Sequence, residues 1–390
     1  MAFIGLENPY GDDKAYDACG VFGIMDTTGE CFHGHDVVTG LVNMTERGNG
    51  LGCGYAIYGC YPDYADCYAF HVMYTNPDNR PQVEARLKSS FVLVHAEEVP
   101  HNPTPELYDA PLIWRYFLRV DGNHPRATLL GELEYVVATV MDINTAGIGA
   151  YIYSSGKNLG VFKGVGFPLQ IADYFGVTDY EGYIWTAHNR FPTNTPGWWG
   201  GAHPFSLLDW TVVHNGEISS YGTNRRFLEM QGYHCTMTTD TEVMAYAADY
   251  LMRRHNLPVE VAVKVMAAPL WDDIERMPSE EQALCRALRQ VCGALLFTGP
   301  FTIILAREGE MIGLTDRLRL RPIVAATSGN RLYISSEEAP IRLVNQDPDR
   351  LWSPIGGEPV IGRVGVPAQA QAPLSASRQR EPVAAGWPRS

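Results

Sequence analysis

The chain lacks the run of about 20 apolar residues that a membrane-spanning helix needs. Its N-terminus also lacks the basic and then apolar stretch of a secretory signal. Eight cysteines occur, at 19, 31, 53, 60, 67, 235, 285 and 292, and none forms a Cys-x-x-Cys pair. In 390 residues without a signal, that scatter argues against a disulfide framework. His33, His35 and the other histidines have no cysteine or carboxylate at zinc-ligand intervals, so no metal site is predicted. Basic residues are scarce: 30 Lys and Arg stand against 44 Asp and Glu, a formal charge of −14. That sign disfavours nucleic acid and anionic membrane as partners. The cytoplasm is the expected compartment.

Hydrophobic residues make up 46% and charged residues 19%, which suits a folded globular chain. Residues 20–25, 54–58 and 68–73 read as strands, and 36–44 and 81–89 carry helical periods. Residues 100–128 read as loop-rich around a short apolar stretch at Leu112–Val120, and 135–141 as β-rich. Further strands are predicted at 149–153, 159–163, 182–188 and 207–214, the last ending in Asn215-Gly216. Residues 168–175 read as a short helix. The clearest helix is 240–254, where Thr239 or Asp240 can serve as the N-cap, and 279–292 is another. Four strands follow at 301–307, 311–315, 323–327 and 331–335. Strands in both halves with helices between them imply two layered sheets under helical covers. Beyond Gly362 the composition turns to Pro, Ala, Gln, Ser and Arg, so 362–390 is predicted to be a disordered tail.

Cys19 opens the stretch Cys19-Gly20-Val21-Phe22-Gly23-Ile24. Taken by itself, a small buried cysteine at a strand start is the commoner reading. The alternative is a nucleophile that becomes an N-terminus. Residues 1–18 contain Asn8-Pro9, Gly11 and several charges with no hydrophobic period, and they read as a propeptide. A cut between Ala18 and Cys19 gives one residue both a thiol and an α-amine of pKa ~7.7–8.0, a nucleophile with its own base.

Three later stretches weigh on that choice. In His188-Asn189-Arg190-Phe191-Pro192-Thr193, Arg190 follows a strand end and either pairs on the surface or holds a carboxylate in a bidentate fork. In His214-Asn215-Gly216-Glu217-Ile218, the Asn-Gly pair makes either a hairpin turn or two donors aimed at one oxyanion. In Thr238-Thr239-Asp240-Thr241-Glu242, Asp240 is either a cap or an acceptor for a substrate ammonium. Together they supply a nucleophile, an oxyanion hole, a carboxylate clamp and an ammonium acceptor, the needs of an amino-acid amide. Trp198 and Trp199, set among Gly197, Gly200 and Gly201, either pack their loop or form a lid, with packing the simpler reading.

In order, Cys-Gly-Val-Phe-Gly-Ile, Arg-Gly-Asn-Gly, His-x-Arg-Phe-Pro-Thr, His-Asn-Gly-Glu-Ile and Thr-Asp-Thr-Glu-Val resemble the class II glutamine amidotransferase domain. The resemblance runs from about Cys19 to Val344, and its wording is most like the glutamate synthase branch. It implies an α+β fold, the four-layer αββα sandwich of the N-terminal-nucleophile hydrolases, over 19–361, with 71–180 rich in insertions. It also implies Cys19 as nucleophile, with Asn215 and Gly216 as oxyanion hole. Arg190, Thr193, His203 and Asp240 would bind L-glutamine, and Arg47 would support the nucleophile. Maturation would begin with attack of the Cys19 thiol on the Ala18 carbonyl. The chain carries no phosphate-binding Gly-rich loop, and the flavin and iron–sulfur region of large glutamate synthases is missing. No cofactor is therefore expected here, whereas FMN and an iron–sulfur cluster are expected on a partner flavoprotein that consumes the ammonia. An amidase for another amide and a non-catalytic glutamine-sensing subunit are the alternatives.

Overall fold

The computed structural model describes residues 19–107, 109–192 and 197–370. Among these, two antiparallel sheets stack face to face. The first has seven strands in the order Arg350–Trp352, Val324–Ser328, Arg331–Ser335, Gly20–Asp26, Ile184–Asn189, Cys53–Tyr58 and Leu159–Gly164. The second has five: Phe205–Leu207, Trp210–Gly216, Phe301–Arg307, Glu310–Thr315 and Val360–Arg363. Strands Gly20–Asp26 and Ile184–Asn189 of the first sheet lie against Trp210–Gly216 and Phe301–Arg307 of the second. Every residue of Gly20–Asp26 is buried, as a strand covered on both faces requires. Tyr58 ties the sheets together: its hydroxyl meets Thr211 Oγ1 and the carbonyls of Asp209 and Ala306 at 2.7–2.8 Å.

Helices cover both outer faces. His35–Val42 packs on the first sheet beside Pro168–Phe175 and Glu338–Val344. Asp240–Ala248 packs on the second, with Tyr221–Met230 against it. The arrangement is an α+β, αββα sandwich. Beside it stands a third, four-stranded sheet, ordered Phe91–Glu98, Leu112–Val120, Tyr68–Tyr74 and Ala150–Ser154. With the helices Arg80–Ser90 and Glu132–Asn144 it occupies much of the span read as insertion-rich.

Five sequence readings change. Residues 135–141 belong to the helix Glu132–Asn144, not to a strand. Their β-branched content misleads because six of the seven residues 135–141 are buried in this helix, and tertiary burial overrides local propensity. Within the span read as loop, Leu112–Val120 is a nine-residue strand between two neighbours. The 207–214 run breaks at Leu208, whose φ of +51° turns the chain into a hairpin. The helix from Asp240 is α-helical only to Ala248 and continues as a π-helix, Asp249–Arg254. At the C-terminal end, order extends past the expected boundary at 362: the Val364 and Gly365 N–H groups donate to the carbonyls of Gly309 and Thr27. Residues 1–18 and 371–390, read as propeptide and tail, lie outside the described residues.

Candidate active site

Cys19 immediately precedes Gly20–Asp26, the central strand of the first sheet. The register pairs Gly20 with Asn189, so the chain leaving the neighbouring strand passes Cys19 as Arg190 and Phe191. The Phe191 N–H donates to Cys19 Sγ at 3.2 Å, and Sγ lies 3.7 Å from the Phe191 carbonyl. Arg47 Nε donates to the Cys19 carbonyl at 2.9 Å, while its guanidinium pairs with Glu337. Ser336 fixes the next turn of backbone: its Oγ accepts the Val21 N–H at 3.1 Å.

The second sheet brings His214, Asn215 and Gly216 to the same place at the end of Trp210–Gly216. They pair in register with Ile303, Thr302 and Phe301, so Asn215-Gly216 ends a strand and is not a hairpin turn. Asn215 is fully buried, and its Nδ2 donates to Ser336 Oγ at 3.2 Å. Gly216 has φ +131°, and a Cβ there would lie 2.0 Å from the Pro300 carbonyl oxygen. That neighbour is backbone and cannot step aside. Gly216→Ala is expected to destabilise the fold by roughly 2–6 kcal/mol through strain and overpacking, read as a lower urea midpoint. An unchanged midpoint would show that the backbone here adapts.

Asp240 begins the helix Asp240–Ala248, but Thr239 does the capping, accepting the Glu242 N–H at 3.3 Å. Asp240 is thereby left to face the cleft. Its Oδ2 accepts the Ile218 N–H at 3.1 Å, and Oδ1 lies 3.5 Å from His214 Nδ1. Thr241 Oγ1 links His214 Nδ1 and His203 Nε2, at 3.2 Å to each. His203 stacks on His188 with ring centroids 4.0 Å apart, and His188 Nε2–H donates to the His214 carbonyl at 2.8 Å.

These groups surround one pocket of about 250 Å³. Its walls include Cys19, Arg190, Phe191, His203, Gly216 and Asp240. The volume falls below the ~300–1,000 Å³ of drug-sized ligand sites and suits a single amino acid. Burial pushes the Cys19 thiol up, against the opposing pull of the Phe191 N–H, Arg190 and Arg321. Burial also pushes the Asp240 carboxyl up, but His214 and the Ile218 N–H outweigh it and hold the group below the usual range. His188 and His203 are driven well down, chiefly by burial, and stay neutral. A buried guanidinium and an ionised carboxylate on one wall present opposite charges, the complement of a zwitterion.

The pocket therefore gathers Cys19, Arg190, His203, Gly216 and Asp240 from five separate stretches of sequence. Asn215 sits one residue behind the wall, and Arg47 touches the backbone of Cys19. Thr193 lies outside the described residues. The tryptophans pack their loop: Trp199 is buried against Tyr174, and Trp198 lies edge-on to Tyr151. Sequence reasoning gave no role to His188, His214, Thr241, Ser336 or Glu337. His188 and His214 stand inside the quoted motifs, and alternation along their strands was the available signal. Among the described residues no cluster of three or more His, Cys, Asp or Glu could hold a metal ion. Among them, too, no helix is long and apolar enough to cross a membrane.

Residues 109–350 match the family model of class-II glutamine amidotransferases, a span that includes Arg190, Asn215, Gly216 and Asp240 and begins after Cys19. An uncharacterized protein of Archaeoglobus fulgidus is 54% identical over 355 residues, covering 90% of this chain and 94% of that one. The glutamine amidotransferase-like protein GlxB of Rhizobium meliloti is 27% identical over 52% of this chain and 59% of its own length. A glutamine–fructose-6-phosphate aminotransferase (isomerizing) of Vibrio vulnificus is 32% identical over 53% of this chain, which is 32% of that enzyme. With the family model spanning well over half its residues, the chain belongs to the class-II glutamine amidotransferases.

Proposed function

We propose that this chain hydrolyses L-glutamine to L-glutamate and ammonia with Cys19 as an N-terminal nucleophile. The observation that carries the reading is the single pocket in which a thiol, a buried arginine and an ionised carboxylate converge. Maturation starts when the Cys19 thiol attacks the Ala18 carbonyl. The acyl group passes from nitrogen to sulfur, and water then hydrolyses that thioester, freeing residues 1–18 and the α-amine of Cys19. The amine is needed as base. Burial keeps the thiol protonated, and the hydrogen-bond partners of Sγ among the described residues are backbone groups of Phe191, with no imidazole.

In turnover Arg190 takes the glutamine α-carboxylate and Asp240 the α-ammonium, with Thr193 and His203 beside them. The side-chain amide is then directed at Cys19. Sulfur adds to the amide carbon, and the Gly216 N–H and Asn215 amide stabilise the oxyanion. The carbon–nitrogen bond breaks with the base returning its proton to the leaving ammonia. Water hydrolyses the γ-glutamyl thioester, releasing glutamate. Asn215→Ala is expected to slow hydrolysis by ~10²–10³ with little change in KM, measured by coupled glutamate detection. A loss confined to KM would remove Asn215 from the oxyanion hole.

Ammonia loses its nucleophilicity once protonated, so the proposal includes an acceptor subunit: a glutamate-synthase-like flavoprotein with FMN and an iron–sulfur cluster. The Arg-Phe-Pro-Thr-Asn-Thr and Asn-Gly-Glu-Ile wording supports that branch. Affinity purification from the native cell followed by flavin and iron analysis tests it, and a preparation free of both would contradict it.

A further inference from the structure

Lys163 lies on the strand Leu159–Gly164 and is almost completely buried. An ammonium has three donors, and leaving them poorly matched in the interior is costly. Among the described residues Lys163 Nζ has one hydrogen-bond acceptor, the Gly200 carbonyl at 3.0 Å, and no ion pair. Two aromatic rings also stand near it: Nζ lies 4.3 Å from the Phe205 ring centroid and 5.3 Å from that of Tyr153.

The residue after Gly200 explains the placement. A Cβ on Gly201 would stand 3.1 Å from Arg190 Nη1, and one on Gly52 would stand 2.9 Å from Arg190 Cδ. The Arg190 side chain thus runs between two glycines, and Lys163 anchors the turn that carries one of them. We propose that Lys163 is a positioning residue for Arg190, fixing the Gly200–Gly201 wall and adding a second positive charge behind the guanidinium, so that the pocket selects ligands bearing a carboxylate. This role rests on the amino-acid reading of the same pocket.

The proposal has a pH signature. Burial pushes the Lys163 ammonium down to about 7, with Glu242 opposing that fall and Arg190 adding to it. The charged and titratable groups facing it are Glu242 from the helix Asp240–Ala248, Arg190 after Ile184–Asn189, His203 and Tyr153. A carboxylate bound at Arg190 favours the charged form of Lys163 and raises its pKa. Binding therefore takes up protons near neutrality, is tightest below pH 7 and weakens as pH rises through that value.

The test is calorimetric titration of the purified full chain with L-glutamate, which carries both α-groups and is not turned over. It is run at pH 6, 7 and 8, in two buffers of different ionisation heat. Wild type is expected to take up protons and to bind roughly 3–10-fold more weakly at pH 8 than at pH 6. Lys163→Met should bind roughly tenfold more weakly at pH 6, with a flatter pH profile. Lys163→Arg, charged throughout, should hold the tight affinity across the range. The α-amine of Cys19, ordinarily of pKa ~7.7–8.0, is common to all three proteins, and so is Glu242, which burial pushes up to about 7; the difference between them therefore reports Lys163 together with its coupling to Glu242. Unchanged affinity and pH profile in Lys163→Met would overturn the role. So would an absence of proton uptake by wild type, which decides the matter even if the variants fail to fold. Glutamate binding with this signature but no glutamine turnover would support Lys163 and overturn glutaminase activity. No glutamate binding at all would overturn both.

Discussion

Cys19→Ala is expected to lose glutamine hydrolysis by at least ~10⁴-fold, since the proposed covalent intermediate forms on its sulfur. The proposed clamp and oxyanion donors stay in place, so L-glutamate should still bind wherever the cleft is open. The same variant should retain residues 1–18, because the thiol that attacks Ala18 is also gone. One substitution thereby removes both processing and turnover. Cys19→Ser separates geometry from chemistry: it keeps the side-chain size but replaces the thiol with a hydroxyl that an amine of pKa ~8 deprotonates poorly. Ammonia release and intact mass report the two losses independently. Hydrolysis surviving in Cys19→Ala would place the chemistry elsewhere.

Arg190→Met carries the second large effect. The guanidinium is buried between Gly52 and Gly201, and its charge acts on both Cys19 and Asp240. Removing one partner of a buried charge pair costs ~2–5 kcal/mol, equivalent to ~30- to 5,000-fold in kcat/KM. The loss should fall mainly on KM, because the carboxylate is held in the ground state as well as the transition state. Arg190→Lys should not restore activity: an ammonium cannot reproduce the planar fork, and the channel between the glycines is shaped for the longer side chain. An unchanged KM for glutamine in Arg190→Met would remove this residue from the clamp.

Much of the site was legible because its parts sit on strong local punctuation. Cys19 precedes an apolar strand, Arg190 follows one, Asn215-Gly216 ends another, and Asp240 opens the clearest helix. What local pattern could not show is which of two readings each residue takes. Thr239 caps the helix and frees Asp240, and Asn215-Gly216 stays in its strand because Phe301–Arg307 pairs with it. Tertiary partners decided both. The same cause hid the helix Glu132–Asn144, whose β-branched run is buried on nearly every side, and Lys163, a lone charge in an otherwise apolar strand. His214 and Thr241 gain meaning only when two stretches meet beside Asp240.

The most direct measurement is the intact mass of the purified wild-type protein, read on the same sample that is assayed for ammonia release from L-glutamine. The predicted result is a chain beginning at Cys19 that releases ammonia and glutamate in equal amounts. A chain still beginning at Met1, or a chain beginning at Cys19 that leaves glutamine intact, would contradict an N-terminal cysteine glutaminase.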